Sequence, residues 1–212
     1  GAAIVRALAT QGWDVSVGAR RPQPIEGAAQ VHAYDAMDRA SEAAWVKAAV
    51  ERFGRIDAIV ANAGIMIPKT VIEADDEDLD ALLEVNVKSP LRLIRAAWPQ
   101  LVACGRGRVV TIVSLSGLRV KTPRSGLYSV SKFAALALTH AVRQSGWDEG
   151  VRAVAVCPGF VVSDMSAAVT DRPPETMTQP DDLARIVAFV LDLPNTASIA
   201  ELPINSTLEE SV

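Results

Sequence analysis

The sequence has no long apolar run, few cysteines and no block of like charge. Half of its 212 residues are apolar, but no stretch reaches the roughly 20 residues of a transmembrane helix. Its two cysteines, Cys104 and Cys157, have no metal-type spacing and are expected to be reduced and buried. The net charge is −4 and nothing resembles a basic, nucleic-acid-binding tract. With no signal peptide at its given start, the chain is predicted to be cytoplasmic, without nucleic-acid or membrane partners.

Strand-like and helix-like segments alternate along the whole chain. Apolar runs such as 107–117 and 151–159 alternate with helical patterns such as 39–54 and 128–147. Uniformly apolar strands are typical of a parallel sheet that helices cover on both faces. No linker or repeat divides the sequence. Residues 1–212 are therefore predicted to form one doubly wound, mostly parallel α/β domain, which is a Rossmann-like arrangement.

A long helix is predicted over residues 74–105, kinked or broken near Pro90 and Pro99. The acidic run at 75–78 is expected to mark its start, because acidic side chains are favourable at the positive end of a helix dipole.

Ligands of such folds bind beyond the carboxyl ends of the strands. Ser114, at the end of a predicted strand, and the helix that follows it are therefore candidates for the binding site. Tyr128 and Lys132 are four residues apart, so they share one helix face. A lysine ammonium near a tyrosine is expected to lower the phenol pKa from about 10, and the phenol could then exchange a proton with a carbonyl substrate. The Ser114 hydroxyl could stabilise the substrate oxygen, and a cofactor would have to supply the hydride.

Five segments together resemble the short-chain dehydrogenase/reductase family, in that family's order and across the whole chain. They are "ANAG" (61–64), "EVNVKSP" (84–90), "RVVTIVSLSG" (108–117), "YSVSK" (128–132) and "CPGFVVSDM" (157–165). The resemblance implies an NAD(P)-dependent oxidoreductase acting on a carbonyl or secondary alcohol, with Tyr128 as general acid/base. The catalytic residues that it implies are Asn86, Ser114, Tyr128 and Lys132.

Alternatives remain open at the catalytic end. Ser116 competes with Ser114 for the serine role, and Ser114 is favoured because it lies in Ser-x-x-Gly with Gly117, as in the family. A catalytically silent dinucleotide-binding regulatory protein is the alternative function. An epimerase or dehydratase is a third reading, although the short segment 160–180 does not favour it.

The resemblance also implies a cofactor site. In the family a strand and a glycine-rich phosphate turn open the fold, and Gly1 resembles the last glycine of that turn. The first strand is therefore expected to be missing from the given chain. At the end of the next strand an NAD enzyme usually has an acidic residue. Here Ala19 is followed by Arg20 and Arg21, which suit a 2′-phosphate and favour NADP over NAD, unless they are merely solvated surface arginines. The remaining cofactor-binding residues implied are Asp35 and Ala36 at the adenine, Asn62, Ala63 and Gly64 at the adenosine ribose, Tyr128, Lys132, Pro158, Gly159, Val161 and Ser163.

The sequence gives weaker support for a functional role of the other candidate residues. Arg119, Lys121 and Arg124 could attract an anionic substrate, or could simply be solvated. His32 and His140 have no partner carboxylate or metal spacing in the sequence, so both are expected to be structural and no metal is predicted. The family resemblance further implies a homotetramer or a homodimer.

Overall fold

The structure, a computed structural model, describes residues 1–208; the end of the predicted domain, 209–212, lies outside the described residues. Helices and strands alternate in the predicted order. The strands are β1 (Val15–Ala19), β2 (Ala28–Ala33), β3 (Ala58–Ala61), β4 (Arg108–Ile112), β5 (Arg152–Pro158) and β6 (Glu201–Ile204). The helices are α1 (Ala2–Thr10), α2 (Ser41–Phe53), α3 (Asp76–Leu83), α4 (Ser89–Ala103), α5 (Gly126–Gly146), α6 (Asp164–Ala167) and α7 (Pro180–Asp192).

Neighbouring strands pair in parallel, with helices on both faces of the sheet. Strands β3, β4, β5 and β6 lie side by side in that order, and Val110 is opposite Val154 across β4 and β5. Successive side chains of a strand point to opposite faces. Val110 and Val154 accordingly pack with α1 and α7, whereas Val109 and Ala153 pack with α2, α4 and α5. The predicted parallel α/β fold is confirmed.

The sheet is in two parts. Within residues 1–208, β1 pairs only with β2, and β3 pairs only with β4. A cavity of about 1250 Å³ lies between these parts and is lined by both β1 and β3. Apolar side chains of α1, including Ile4, Val5 and Leu8, also line it. The edges of β1 and β3 therefore face a common cleft.

The long helix predicted over 74–105 is interrupted by a π turn at Glu84–Lys88. This turn lies just before Pro90, which has no N–H to donate to the Asn86 carbonyl four residues earlier. The helix is not broken near Pro99, because α4 continues to Ala103; a kink there, the other predicted outcome, stays a prediction. Pro99 is exposed, and so is Arg95, whose carbonyl loses its helical donor there.

None of the helices in residues 1–208 is both long and apolar enough to cross a membrane.

Candidate active site

The residues singled out by the sequence gather where β3, β4 and β5 end. β3 ends directly before Asn62, β4 ends two residues before Ser114, and β5 ends at Pro158. Helix α5 begins at Gly126, two residues earlier than predicted, so Tyr128 lies in its first turn. Parallel strands end at a common edge, and this edge is where ligands of doubly wound folds bind.

Tyr128 is buried beside Ser114. Its exposed fraction is 8%. Burial raises the pKa of the Tyr128 phenol to about 12, and the nearby Ser114 side chain opposes that rise. The ammonium nitrogen of Lys132 lies 5.7 Å from the centre of the tyrosine ring. The predicted lowering of the tyrosine pKa is therefore wrong for this structure, because the loss of water around the phenol outweighs the effect of the neighbours.

Lys132 is a buried cation with unused hydrogen-bonding capacity. It is 5% exposed, and its Nζ donates a hydrogen bond to the Ile112 carbonyl over 3.0 Å. Burial lowers its pKa to about 8, while Cys157 acts in the opposite direction. Within residues 1–208 the bond to Ile112 is the one hydrogen bond of the Nζ atom, and an ammonium has three donors, so two are left for a ligand.

Ser114, and not Ser116, is the serine whose side chain lies close enough to the Tyr128 phenol to oppose the rise of its pKa. The Ser116 amide instead donates to Ser114 Oγ over 3.1 Å and so fixes the position of the hydroxyl. Gly117 lets α5 pack closely against this turn, since a Cβ there would lie 2.8 Å from the Lys132 carbonyl oxygen. Any larger residue at 117 would push α5 and its tyrosine away from the strand end.

Asn86 lies in the π turn and is 2% exposed. Its Oδ1 accepts from the Ile65 amide over 2.9 Å, and its Nδ2 donates to the Ile65 carbonyl over 3.0 Å. The same Nδ2 donates to Ser131 Oγ over 3.0 Å, and the Ser131 hydroxyl donates to the Tyr128 carbonyl over 2.7 Å. Ser131 is not among the predicted site residues. It could have been found from its position, because residues 128, 131 and 132 share one helix face.

The residues expected at the adenosine end line the cavity between the two parts of the sheet. From the predicted cofactor set, those lining it are Gly1, Arg20, Asp35, Ala36, Asn62, Ala63 and Gly64, together with Ala19. Arg20 and Arg21 are both exposed just beyond β1, but Arg21 is not among the residues that line this cavity.

The segment after β5 is held by local contacts. The Gly159 amide donates to the Ile204 carbonyl over 2.8 Å, and Val161 forms a bridge with Thr178. Ser163 caps the short helix α6: its Oγ accepts from the Ser166 amide over 3.2 Å. The Ser163 hydroxyl therefore has a structural role in this structure, and its predicted contact with the cofactor stays a prediction.

These residues fit a nicotinamide dinucleotide. A Cβ at Gly64 would lie 3.3 Å from Asn86 Oδ1 and 3.6 Å from Lys132 Nζ. Gly64 therefore has no side chain at the point between the adenosine end and the catalytic end of the candidate site. The two remaining donors of Lys132 are suited to a pair of ribose hydroxyls.

Two lesser candidates gain partners in the structure. His140 Nε2 lies 2.7 Å from Glu201 Oε1, a carboxylate far away in the sequence that the fold brings close. The expectation that His140 is structural stays a prediction. Arg124 Nε donates to the Pro68 carbonyl over 3.0 Å. No group of three His, Cys, Asp or Glu residues within positions 1–208 could hold a metal ion.

The chain is similar to known proteins. The family model described as short chain dehydrogenase matches residues 1–174. Agropine synthesis reductase of Rhizobium rhizogenes is 39% identical over 94% of this chain and 48% of its own length, so the chain spans about half the length of that relative.

Two solved structures are also similar. The alcohol dehydrogenase of Thermococcus sibiricus, complexed with 5-hydroxy-NADP, is 28% identical with a TM-score of 0.87, over 100% of this chain and 94% of that one. A metagenomic short-chain oxidoreductase in complex with NADP is also 28% identical, with a TM-score of 0.82 over 99% of this chain and 92% of that one.

Proposed function

Since the chain belongs to the short-chain dehydrogenase family, we propose that it is an NAD(P)-dependent oxidoreductase that interconverts a carbonyl and a secondary alcohol. The observation that carries this proposal is the buried contact of Tyr128 with Ser114, one helical turn from the buried Lys132. A proton donor, an oxyanion-stabilising hydroxyl and a cation then lie together at the strand ends.

The roles of the side chains follow from their surroundings. When bound, the nicotinamide supplies or accepts the hydride. With a pKa of about 12, Tyr128 is protonated at neutral pH and can donate its proton to a carbonyl oxygen during reduction. Ser114 is held by the Ser116 amide and can donate to the same oxygen. Lys132 has two donors left to hold ribose hydroxyls, and Asn86 fixes the loop at Ile65 against α5.

NADP is the preferred cofactor in this proposal, with NAD as the weaker one. Ala19 offers no carboxylate to a ribose hydroxyl, whereas the exposed Arg20 and Arg21 can meet a 2′-phosphate. Both solved structures described above are complexes with NADP or its 5-hydroxy derivative, which supports the same choice.

The test is turnover by Tyr128→Phe, which keeps the ring and removes the hydroxyl. NADPH and NADH are titrated by fluorescence, and a panel of carbonyl compounds is screened with the wild-type protein. We expect NADPH to bind more tightly than NADH. The variant is expected to keep its NADPH affinity within about twofold while kcat falls by about 10²–10⁴-fold, the usual contribution of general acid catalysis.

Two serine variants are the matched controls. Ser114→Ala should lose turnover, whereas Ser116→Ala should keep most of it, because the main-chain amide of Ser116 still holds Ser114. A wild-type protein that binds neither dinucleotide would refute the oxidoreductase assignment.

The alternative is a catalytically silent dinucleotide-binding regulatory protein. It would bind NADPH but turn over no carbonyl or alcohol. Assembly as a homotetramer or homodimer, location in the cytoplasm and a single domain over 1–212 stay predictions.

A further inference from the structure

A cluster of charged and polar side chains lies buried away from Tyr128 and Lys132. We call it the Arg92 cluster; it consists of Tyr34, Glu42, Glu84, Ser89 and Arg92. The Glu42 side chain is 1% exposed, that of Glu84 10% and that of Arg92 21%. The cluster joins the loop after β2, helix α2, the π turn and helix α4.

Arg92 contacts three different segments at once. Its Nε and Nη2 donate to the two carboxylate oxygens of Glu42 over 3.1 and 2.9 Å. Its Nη1 donates to Glu84 Oε1 over 2.5 Å, and its Nη2 also donates to the Ala36 carbonyl over 2.9 Å. Four of its five N–H groups are thus in use.

The rest of the cluster completes the hydrogen bonding of Glu42. Ser89 Oγ donates to Glu42 Oε1 over 2.6 Å, and the Tyr34 hydroxyl lies 2.6 Å from Ser89 Oγ. At the rim, Lys88 Nζ is 3.4 Å from Glu84 Oε2. A buried network in which every member is bonded holds its segments rigidly, whereas a buried carboxylate without a partner is unfavourable.

The two outer arms of Arg92 reach the two ends of the candidate dinucleotide site. Ala36 directly follows Asp35, and both line the cavity at the adenosine end. Glu84 opens the π turn that carries Asn86, whose amide holds Ile65. One guanidinium therefore connects the loop after β2 with the turn that places Asn86.

We propose that Arg92 is a positioning residue that fixes the adenine-side loop at Asp35–Ala36 and the Asn86 turn relative to each other. The inference rests on the proposed function and adds to it. Neither Arg92 nor Glu42 touches the catalytic residues, so Arg92 would act through the segments that it holds. Arginine suits this role: its planar fork reaches three acceptors in fixed directions, whereas a lysine ammonium on a flexible chain does not.

The experiment compares Arg92→Met with Arg95→Met, a substitution of an exposed arginine on the same helix. The first measurement is hydrogen exchange of the Ile65 amide in the protein without ligand, because that amide donates to Asn86. The second is the affinity for 2′,5′-ADP, which carries the adenosine and the 2′-phosphate. In Arg92→Met we expect at least tenfold faster exchange at Ile65 and at least fivefold weaker 2′,5′-ADP binding. Both should stay within twofold of the wild type in Arg95→Met.

Two further variants separate the arms of Arg92 and guard against misfolding. Glu84→Met removes the contact of Arg92 to the π turn, together with the weaker pairs of Glu84 with Lys88 and Arg39, and keeps the contact of Arg92 to Ala36. It should therefore speed Ile65 exchange and leave 2′,5′-ADP affinity within twofold. Arg92→Lys keeps the charge but not the fork, and should show both defects in reduced form. If Arg92→Met does not fold, these two variants decide the matter.

A folded Arg92→Met protein with Ile65 exchange and 2′,5′-ADP affinity near wild type would overturn the proposal and leave Arg92 as part of a structural ion cluster. If the wild-type protein binds neither NADPH nor 2′,5′-ADP, the proposed function is refuted. The part of the proposal that concerns the adenine-side loop at Asp35–Ala36 is then refuted as well. Hydrogen exchange at Ile65 in the variants would still test whether Arg92 fixes the turn that carries Asn86.

Discussion

At the scale of single residues, burial sets the electrostatics of the candidate site. The pKa of Tyr128 is raised to about 12 and that of Lys132 is lowered to about 8. In each case burial disfavours the charged form. Both groups are therefore pushed toward their neutral forms, and a lysine of this kind can change its charge near pH 8.

The buried Lys132 should make the stability of the protein depend on pH. Between pH 8 and 10.5 the unfolded chain binds a proton that the folded chain does not, so the free energy of unfolding should rise with pH in that window. From pH 7.5 to 9 the rise attributable to Lys132 is about 1 kcal/mol. Lys132→Met should abolish it, as measured by denaturant unfolding at the two pH values.

Tyr128→Phe is the control for this measurement. The tyrosine pKa goes from 10 in the unfolded chain to about 12 in the fold, so its own effect appears only above pH 9. The pKa of Cys157 is raised to about 11, but this thiol is present in all the proteins compared and its effect cancels. An unchanged pH dependence in Lys132→Met would show that the lysine is not desolvated.

At the scale of elements, the sequence predicted the helix start better than the helix interruption. The acidic run predicts a start that the structure places at Asp76, with Asp75 as the cap. Local side-chain chemistry suffices for that prediction. The π turn at 84–88 is harder to predict from the sequence, because the effect of a proline on a helix depends on what surrounds it. Pro90 lies two residues after the π turn, whereas Pro99 lies on an exposed face of α4, which continues past it.

The capping box at the start of α3 gives a prediction for this element. Asp75 Oδ1 accepts from the Asp78 amide over 2.9 Å, and Asp78 Oδ2 accepts from the Asp75 amide over 3.2 Å. Asp75→Ala removes the first bond and should lower the free energy of unfolding by about 1 kcal/mol. Asp75→Asn keeps an acceptor and should lose less.

Asp80→Ala serves as the comparison, because Asp80 is exposed in the interior of the same helix. Alanine has the higher helix propensity, so no loss is expected there. Equal stability of the Asp75→Ala and wild-type proteins in urea would mean that the cap does not stabilise α3.

At the scale of the whole molecule, the order of elements and the gathering of Asn86, Ser114, Tyr128 and Lys132 at one edge could be anticipated. Apolar strand patterns fix the parallel sheet, and strand ends then place those residues together. The Arg92 cluster could not be anticipated, because Glu42 and Arg92 are far apart in sequence and meet only through packing of α2 on α4. The direction of the Tyr128 pKa shift was missed for a related reason, since burial depends on the complete fold.

The cleft between β1 and β3 has a consequence for how ligand binding affects stability. The cavity there is lined by residues of both parts of the sheet. A dinucleotide bound in it would contact both parts in the folded chain and neither in the unfolded chain, so it would favour the folded state. We therefore expect the melting temperature to rise with the concentration of NADPH in differential scanning calorimetry. A melting temperature that does not change would show that the dinucleotide does not bind in the cleft.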